Sequence, residues 1–303
     1  MASPPQPDLL ARLFPWRHGQ GQTVMRLDNA LGTELARRGV EIDGPGWTAA
    51  ANRTHPDDII AAHEDAIRAG AMIVTANTFR THQRNLDPLG LDAAELTPLA
   101  VNWAGYATEK TDALVFGSAA PLADCYDASA APPHDAMRDE HARHAELLAA
   151  AHVDGILVET MTTIREAAIA TRAARTALGD RPVFASVAIA RDGRLYSGEP
   201  LADAIIALRD AGADMTLANC FPASLGRRLA ETFAEHADCW GLYANTGMLD
   251  GHGRWAKDGD ISPQGYARHA ADWIAAGATL VGGCCGTTPD HTAAIRDAIA
   301  RDK

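Results

Sequence analysis

Three of the five cysteines in this chain stand where a thiol can do chemistry. Cys284 and Cys285 are adjacent within Gly282-Gly283-Cys284-Cys285-Gly286, and Cys220 follows Asn219. Thiolates are zinc ligands at about 2.3 Å in tetrahedral geometry, and three protein ligands leave a fourth position open, as a catalytic site requires. Two neighbouring cysteines can serve one ion where the chain turns sharply, and the flanking glycines permit such a turn. An odd count of five thiols in so long a chain is no disulfide framework. Cys239 opens a strand and reads as packing. Cys125 follows a strand and could approach the same site, but nothing in the sequence fixes it there. Among the twelve histidines, His55, His63, His141, His144, His269 and His291 fall on helical or loop stretches, show no HxxxH pair, and are expected to be solvated.

Three thiols so far apart in sequence need a fold that converges on one point. Short β-branched runs alternate with Ala-rich helical patterns along the chain. The expected strands are Val24–Asp28, Ala71–Ala76, Ala113–Ser118, Gly155–Glu159, Pro182–Ile189, Asp214–Asn219, Cys239–Asn245 and Ala278–Gly283. Helical patterns lie between them, among them Pro56–Ala69, His134–Ala151, Thr163–Leu178, Leu201–Ala211 and Pro263–Ala276, with a last helix at Pro289–Arg301. Ala69-Gly70-Ala71, Ala211-Gly212-Ala213 and Ala276-Gly277-Ala278 each place glycine where a helix must stop before a strand. Such alternation implies right-handed parallel crossovers. Eight units favour a closed (β/α)8 TIM barrel over a doubly wound sheet, whose first turn would carry GxGxxG; Asp28-Asn29-Ala30-Leu31-Gly32 does not. In a barrel the site lies at the C-terminal strand ends. Those ends carry Asp28, Asn77-Thr78, Glu159-Thr160, Asn219-Cys220, Asn245-Thr246 and the double-cysteine run.

Composition narrows the partners. The chain has 303 residues, 27 Lys+Arg and 39 Asp+Glu, a formal charge of −12, with no basic run. Nucleic acid and anionic membrane surfaces are poor partners for such a chain. No stretch approaches the roughly 18 apolar residues of a membrane helix, and residues 1–22 lack the apolar core of a signal peptide. The expectation is a cytoplasmic protein with a flexible N-terminal arm at 1–22 and a single barrel domain at 23–303.

The run from Val281 to His291, VGGCCGTTPDH, resembles the signature of the zinc-dependent homocysteine S-methyltransferases. Asn219-Cys220 is similar to that family's other cysteine motif. Leu27 to Leu35 resembles its opening segment, Ala76 to Phe79 and Val158 to Met161 its second and fourth strand ends, and Tyr243 to Gly247 its seventh. The resemblance runs in order from about residue 24 to 300. It implies a methyltransferase that binds Zn2+ through Cys220, Cys284 and Cys285 and places the homocysteine sulfur in the open position. It further implies that Asp28 and Glu159 hold the homocysteine ammonium and that the Ala30 and Leu31 amides face its carboxylate. Asn29 stands where the family usually has glycine, and asparagine also tolerates left-handed geometry. Asn77, Thr78, Thr160, Asn219 and Asn245 complete the implied substrate-binding set.

The methyl donor is less constrained. A positive methyl centre suits an aromatic face, and Trp47 and Trp255 lie in the loops after strands 1 and 7. The stretch from Gly253 through Tyr266 and Trp273 is similar to the branch that uses S-methylmethionine, with S-adenosylmethionine a weaker donor. Gly286 stands where that branch often has arginine. Methionine synthases with folate and cobalamin share the glycine but need domains for which this chain has no room. The alternatives are the same chemistry with betaine, dimethylsulfoniopropionate or a corrinoid partner as donor, another thiol or selenol as acceptor, or a zinc- and thiol-binding protein without turnover.

Overall fold

The computed structural model describes residues 23–42, 44–249, 255–257 and 261–301 together with Leu9, Leu13 and Phe14; for 248–249 and 255–257 it describes the backbone alone. In chain order the elements are β1 (Met25–Arg26), α1 (Leu31–Arg37), α2 (Ala51–Thr54), α3 (Pro56–Ala69), β2 (Ile73–Ala76), α4 (Gln83–Leu86), α5 (Ala93–Thr108) and β3 (Leu114–Ala119). There follow α6 (His134–Ala150), β4 (Gly155–Met161), α7 (Ile164–Leu178), β5 (Val183–Ala188), α8 (Leu201–Asp210), β6 (Met215–Pro222), α9 (Gly226–His236) and β7 (Trp240–Asn245). A short antiparallel pair, β8 (Gly247–Leu249) and β9 (Trp255–Lys257), precedes α10 (Pro263–Ala275), β10 (Leu280–Gly283) and α11 (Pro289–Arg301).

Eight of these strands form one parallel sheet in the order β1-β10-β7-β6-β5-β4-β3-β2. Its edges meet through the parallel bridge between Leu27 and Ile73, and the Asp28 amide donates to the Ile73 carbonyl at 3.0 Å. The result is the (β/α)8 barrel that the strand–helix alternation predicts. The three Ala-Gly-Ala joints work as expected: Gly70, Gly212 and Gly277 have φ of 111°, 100° and 109°, the left-handed conformation that ends a helix without a Cβ clash.

The core has two layers, as a barrel demands. Leu27, Ile73, Leu114, Phe116, Leu157, Phe184, Leu217 and Leu280 fill the interior, while the outward faces of the strands pack on the helices. Leu13 and Phe14 belong to the interior layer: Phe14 has no exposed surface, and its ring meets Phe184 edge-on at 6.1 Å. The expected loose arm before residue 23 is thus corrected at these two residues, which close the barrel floor with apolar bulk. Cys239 also lies in that floor, as its reading as packing requires. The remaining residues of 1–22 lie outside the described ones, Leu9 aside.

Two strands outrun their expected lengths, and the reason bears on function. β4 continues to Met161 and β6 to Pro222, past Glu159 and Asn219. Each carries a register shift, between Val158 and Met161 and between Asn219 and Pro222. A bulge adds a residue on one strand and re-aims side chains. Both bulges contain residues named above as chemical.

Candidate functional site

At the β6 bulge Cys220 has φ 55°, and at the β4 bulge Thr160 has φ 62°. Positive φ is costly for a non-glycine residue and more so for a β-branched one, and persists only where the surroundings over-determine it. Asn219 supplies that constraint. Its Oδ1 accepts from the Thr160 amide at 3.1 Å and from Ser186 Oγ at 2.8 Å. Its Nδ2 donates to Thr160 Oγ1 at 2.8 Å and reaches Cys284 Sγ at 3.8 Å. One buried amide therefore locks both bulges and touches a thiol.

The double cysteine leaves β10 in a turn held from three sides. The Cys284 amide donates to the Ala244 carbonyl at 2.8 Å, the Thr246 amide to the Cys285 carbonyl at 3.0 Å, and Thr287 Oγ1 to the Cys284 carbonyl at 2.7 Å. Gly286 is left-handed at φ 83°, whereas a Cβ on Gly283 would stand 2.3 Å from Thr287 Oγ1. One glycine makes the turn, and the other lets Thr287 pack beneath it. The three Sγ atoms lie within 4.8 Å of one another, with Cys220 and Cys284 at 3.3 Å. Tetrahedral ligands at about 2.3 Å from Zn2+ stand about 3.8 Å apart, so the set fits that ion with separations changed by about 1 Å or less. The thiols are electrostatically unequal. Hydrogen bonds from Cys220 and Cys284 pull Cys285 well below its ordinary pKa, while bonding to Cys284 and Cys285, together with burial, pushes Cys220 well up. A divalent cation lets all three ionise together.

The thiols line a cavity of about 760 Å3 whose wall also includes Asp28, Asn29, Trp47, Glu159 and Tyr243. Asp28 accepts from the Thr75 amide at 2.8 Å and from Thr75 Oγ1 at 3.0 Å. Glu159 accepts from Ser118 Oγ at 2.5 Å and from the Tyr243 hydroxyl at 3.4 Å. Burial, reinforced by Glu159, raises the Asp28 pKa to about 7. Burial also raises Glu159 to about 8, with the nearby Cys284 adding to it. Two buried carboxyls so perturbed are suited to a cationic ligand, which returns them to the ionised form. Asn29 Oδ1 is buried without a partner, another acceptor for such a ligand.

Asp28, Asn29, Ala30, Leu31, Trp47, Asn77, Glu159, Thr160, Cys220, Cys284 and Cys285 all line this cavity. Thr78, Asn219 and Asn245 do not appear in its wall. Thr78 Oγ1 is spent on the Ser118 backbone, at 2.8 Å to both its amide and its carbonyl, and Asn219 is the brace just described. Asn245 ends β7, fully buried, with Oδ1 unpartnered. Asn77 lines the cavity but gives its amide to the Thr48 carbonyl and to Asn52. The Ala30 amide donates to Thr287 Oγ1 at 3.2 Å, so Leu31, in the first turn of α1, offers the freer amide. Asn29 is not left-handed. The Trp255 side chain lies outside the described residues.

Sequence reasoning assigned no role to Tyr126, Tyr243, Phe79 or Arg80, all in the cavity wall, and Cys125, which it allowed to approach the site, lines that wall too. Tyr243 was legible as an alternate position on β7. Cys125 and Tyr126 come from a loop, which periodicity does not place. Burial pushes the Cys125 thiol up to about 11.

The expected solvation of the histidines fails at His63, His141, His144 and His291, which are buried, as is His82. On α6 the buried residues Met137, His141, His144, Ala145 and Leu148 form one helical stripe. The His82 and His144 rings pack tilted with centroids 3.9 Å apart, and His141 Nε2 meets Glu166 at 3.1 Å.

A parallel (β/α)8 barrel with three convergent thiols and two buried carboxyls at its strand tips is a metallo-thiol enzyme architecture. The profile of the homocysteine S-methyltransferase family matches residues 25–299, and the chain belongs to that family. It is 30% identical over 304 residues to the homocysteine S-methyltransferase of Escherichia coli, covering 91% of this chain and 95% of that protein. It is also 30% identical over 299 residues to the methionine synthase of Mycobacterium leprae, covering 92% of this chain but 24% of that protein. The chain thus spans about a quarter of the length of the methionine synthases it matches. Among solved structures, the metallated form of the E. coli homocysteine methyltransferase MmuM is 25% identical with a TM-score of 0.78, covering 94% of this chain and 99% of that one.

Proposed function

We propose that this chain moves a methyl group from a sulfonium donor, S-methylmethionine foremost and S-adenosylmethionine second, to the sulfur of homocysteine, giving methionine. The observation that carries the reading is the single cavity in which Cys220, Cys284 and Cys285 lie beside Asp28 and Glu159. Cys220, Cys284 and Cys285 would hold Zn2+, which when bound supplies the Lewis acidity that keeps a homocysteine thiol ionised at neutral pH. Glu159 and Asp28 take the homocysteine ammonium, a charge-assisted contact that fixes the amino-acid end. The Leu31 amide faces its carboxylate. With that end held, the sulfur lone pair attacks the donor methyl. The donor carbon–sulfur bond breaks as the new one forms, a neutral thioether leaves, and one thiol proton goes to solvent. No general base is needed at that step, so the residues act by positioning. Arg80, in the cavity wall, suits a donor that carries a carboxylate beside its sulfonium. The protein is expected to work in the cytoplasm as one barrel domain.

A second reading keeps the barrel and the thiols but takes the methyl from a corrinoid partner. The likeness to the mycobacterial methionine synthase and the glycine at 286 favour it. Methyl transfer to homocysteine from a panel of donors, followed by mass spectrometry, separates the two. Methionine formed from S-methylmethionine by the zinc-loaded protein supports the first; product from methylcobalamin alone supports the second. Zinc content is the companion measurement. About one ion per chain is expected, and less than half an ion in Cys285→Ser; full zinc in that variant refutes the ligand set.

A further inference from the structure

The loop between β3 and α6 reaches across the barrel mouth. In the sheet, β3 and β6 are separated by β4 and β5, yet Tyr126 from the β3 loop places its hydroxyl 4.0 Å from Cys220 Sγ on β6. Cys285 lines the same cavity wall as Tyr126. Tyr126 therefore roofs the thiol cluster on the side from which a second substrate must enter, since the strand tips open that way and the ring lines the cavity.

This roof is anchored rather than draped. Arg80 Nη1 donates to the Pro121 carbonyl at 3.1 Å and to the Ala123 carbonyl at 2.7 Å, tying the loop to the segment after β2. The Leu122 amide donates to Glu166 on α7 at 2.9 Å. The Tyr126 amide donates to Asp124 Oδ1 at 2.8 Å, and the ring meets Tyr196, from the loop after β5, edge-on at 5.6 Å. Three neighbouring segments thus fix one aromatic ring above the metal-capable thiols. Mere packing would not require a half-buried ring whose polar end faces sulfur.

We infer that Tyr126 is the residue that recognises the methyl donor, its ring holding the positively charged sulfonium over the homocysteine sulfur. An aromatic face attracts a cation, most strongly where water is excluded. The loop's ties to Arg80 and Glu166 and the ring's contact with Tyr196 fix the ring, and the ring does the recognising. This inference rests on the sulfonium-donor reading above.

The test compares Tyr126→Leu, which removes the ring, with Tyr126→Phe, which keeps it, in the zinc-loaded full chain. Binding of S-methylmethionine without homocysteine, read by saturation-transfer NMR, needs no turnover. Tyr126→Leu should weaken that binding and raise the donor KM about tenfold. The homocysteine KM should stay within threefold and the zinc content near one per chain, and Tyr126→Phe should stay within threefold of wild type for both substrates. Unchanged donor binding in Tyr126→Leu overturns the inference, as does a joint loss of zinc and of homocysteine affinity, which would make Tyr126 a prop of the metal centre. A wild-type enzyme that neither binds nor uses any sulfonium overturns the donor reading itself; one that does both while Tyr126→Leu behaves identically overturns only the role of Tyr126.

Discussion

Replacing Asn219 by alanine should damage the protein twice, in stability and in metal affinity. The side chain is fully buried and makes four contacts, two to Thr160, one to Ser186 and one to Cys284. Alanine leaves the buried Thr160 amide and the Ser186 hydroxyl without Oδ1, and each buried group so stranded costs about 1–3 kcal/mol. The positive φ of Thr160 and Cys220 also loses its brace. A total of about 3–5 kcal/mol corresponds to an apparent Tm lower by about 5–8 °C for a chain of this size. Loss of a partner behind a metal ligand typically costs about 10- to 100-fold in affinity, to be read by competition with a zinc chelator. A second substitution isolates the cause. Thr160→Gly tolerates φ 62° without strain, so Asn219→Ala should cost less in that background, and the two effects should be non-additive by about 1–2 kcal/mol. An apparent Tm within 2 °C of wild type, or strict additivity, refutes the bulge-locking argument.

Three further outcomes are expected. In the proposed reading the homocysteine ammonium pairs with ionised carboxyls, and burial raises Asp28 to about 7 and Glu159 to about 8. Hence kcat/KM for homocysteine should rise with pH between about 6 and 8, and Glu159→Gln should flatten that profile and raise KM with zinc retained; an unchanged profile refutes the clamp. Burial lowers His63 to about 4 and His144 to about 3. Their contribution to stability is fully present above about pH 6.5 and is lost as pH falls from there toward 3–4, so the fall in Tm between pH 7 and 5 should be shallower in His63→Gln than in wild type. Phe14→Ala should cost about 3–5 kcal/mol in urea unfolding, since a fully buried aromatic leaves a cavity in the barrel floor; a loss under 1 kcal/mol refutes its role as a plug.

The barrel was legible because its signals are periodic and local. Apolar runs, helical stripes and a glycine at each Ala-Gly-Ala joint follow from backbone geometry that neighbouring residues alone dictate. The thiols were legible because cysteine is scarce here and the double cysteine sits among glycines. The bulges were not, since positive φ at Thr160 and Cys220 is imposed by a tertiary partner, Asn219, and residues that intrinsically resist that conformation leave no mark of it in sequence. The histidines misled for a different reason. Their polarity suggests solvent, but His141 and His144 share the spacing of Met137 and Leu148, and that spacing was the better guide. Leu13 and Phe14 likewise looked like part of a Pro-rich arm, although two adjacent apolar residues there had to find cover.

The parts that sequence could not place are the ones that give the cavity its electrostatic character. The bulges aim Glu159 and Cys220 inward, so Asp28, Glu159 and the three clustered thiols share one cavity wall. Burial alone would hold such groups protonated, and the raised carboxyls express that cost. Divalent metal at the sulfurs and an ammonium at the carboxyls each convert the cost into binding energy, and each makes the other easier. Homocysteine would span both, its sulfur at the metal and its ammonium at the carboxyls, which line one cavity with the thiols. Metal and amino acid should therefore bind with positive coupling, and by reciprocity homocysteine should tighten zinc as much as zinc tightens homocysteine. The bowl is thus selective by charge count before any contact is made: a neutral thiol without an ammonium gains only the metal, and an amine without a thiol gains only the carboxyls.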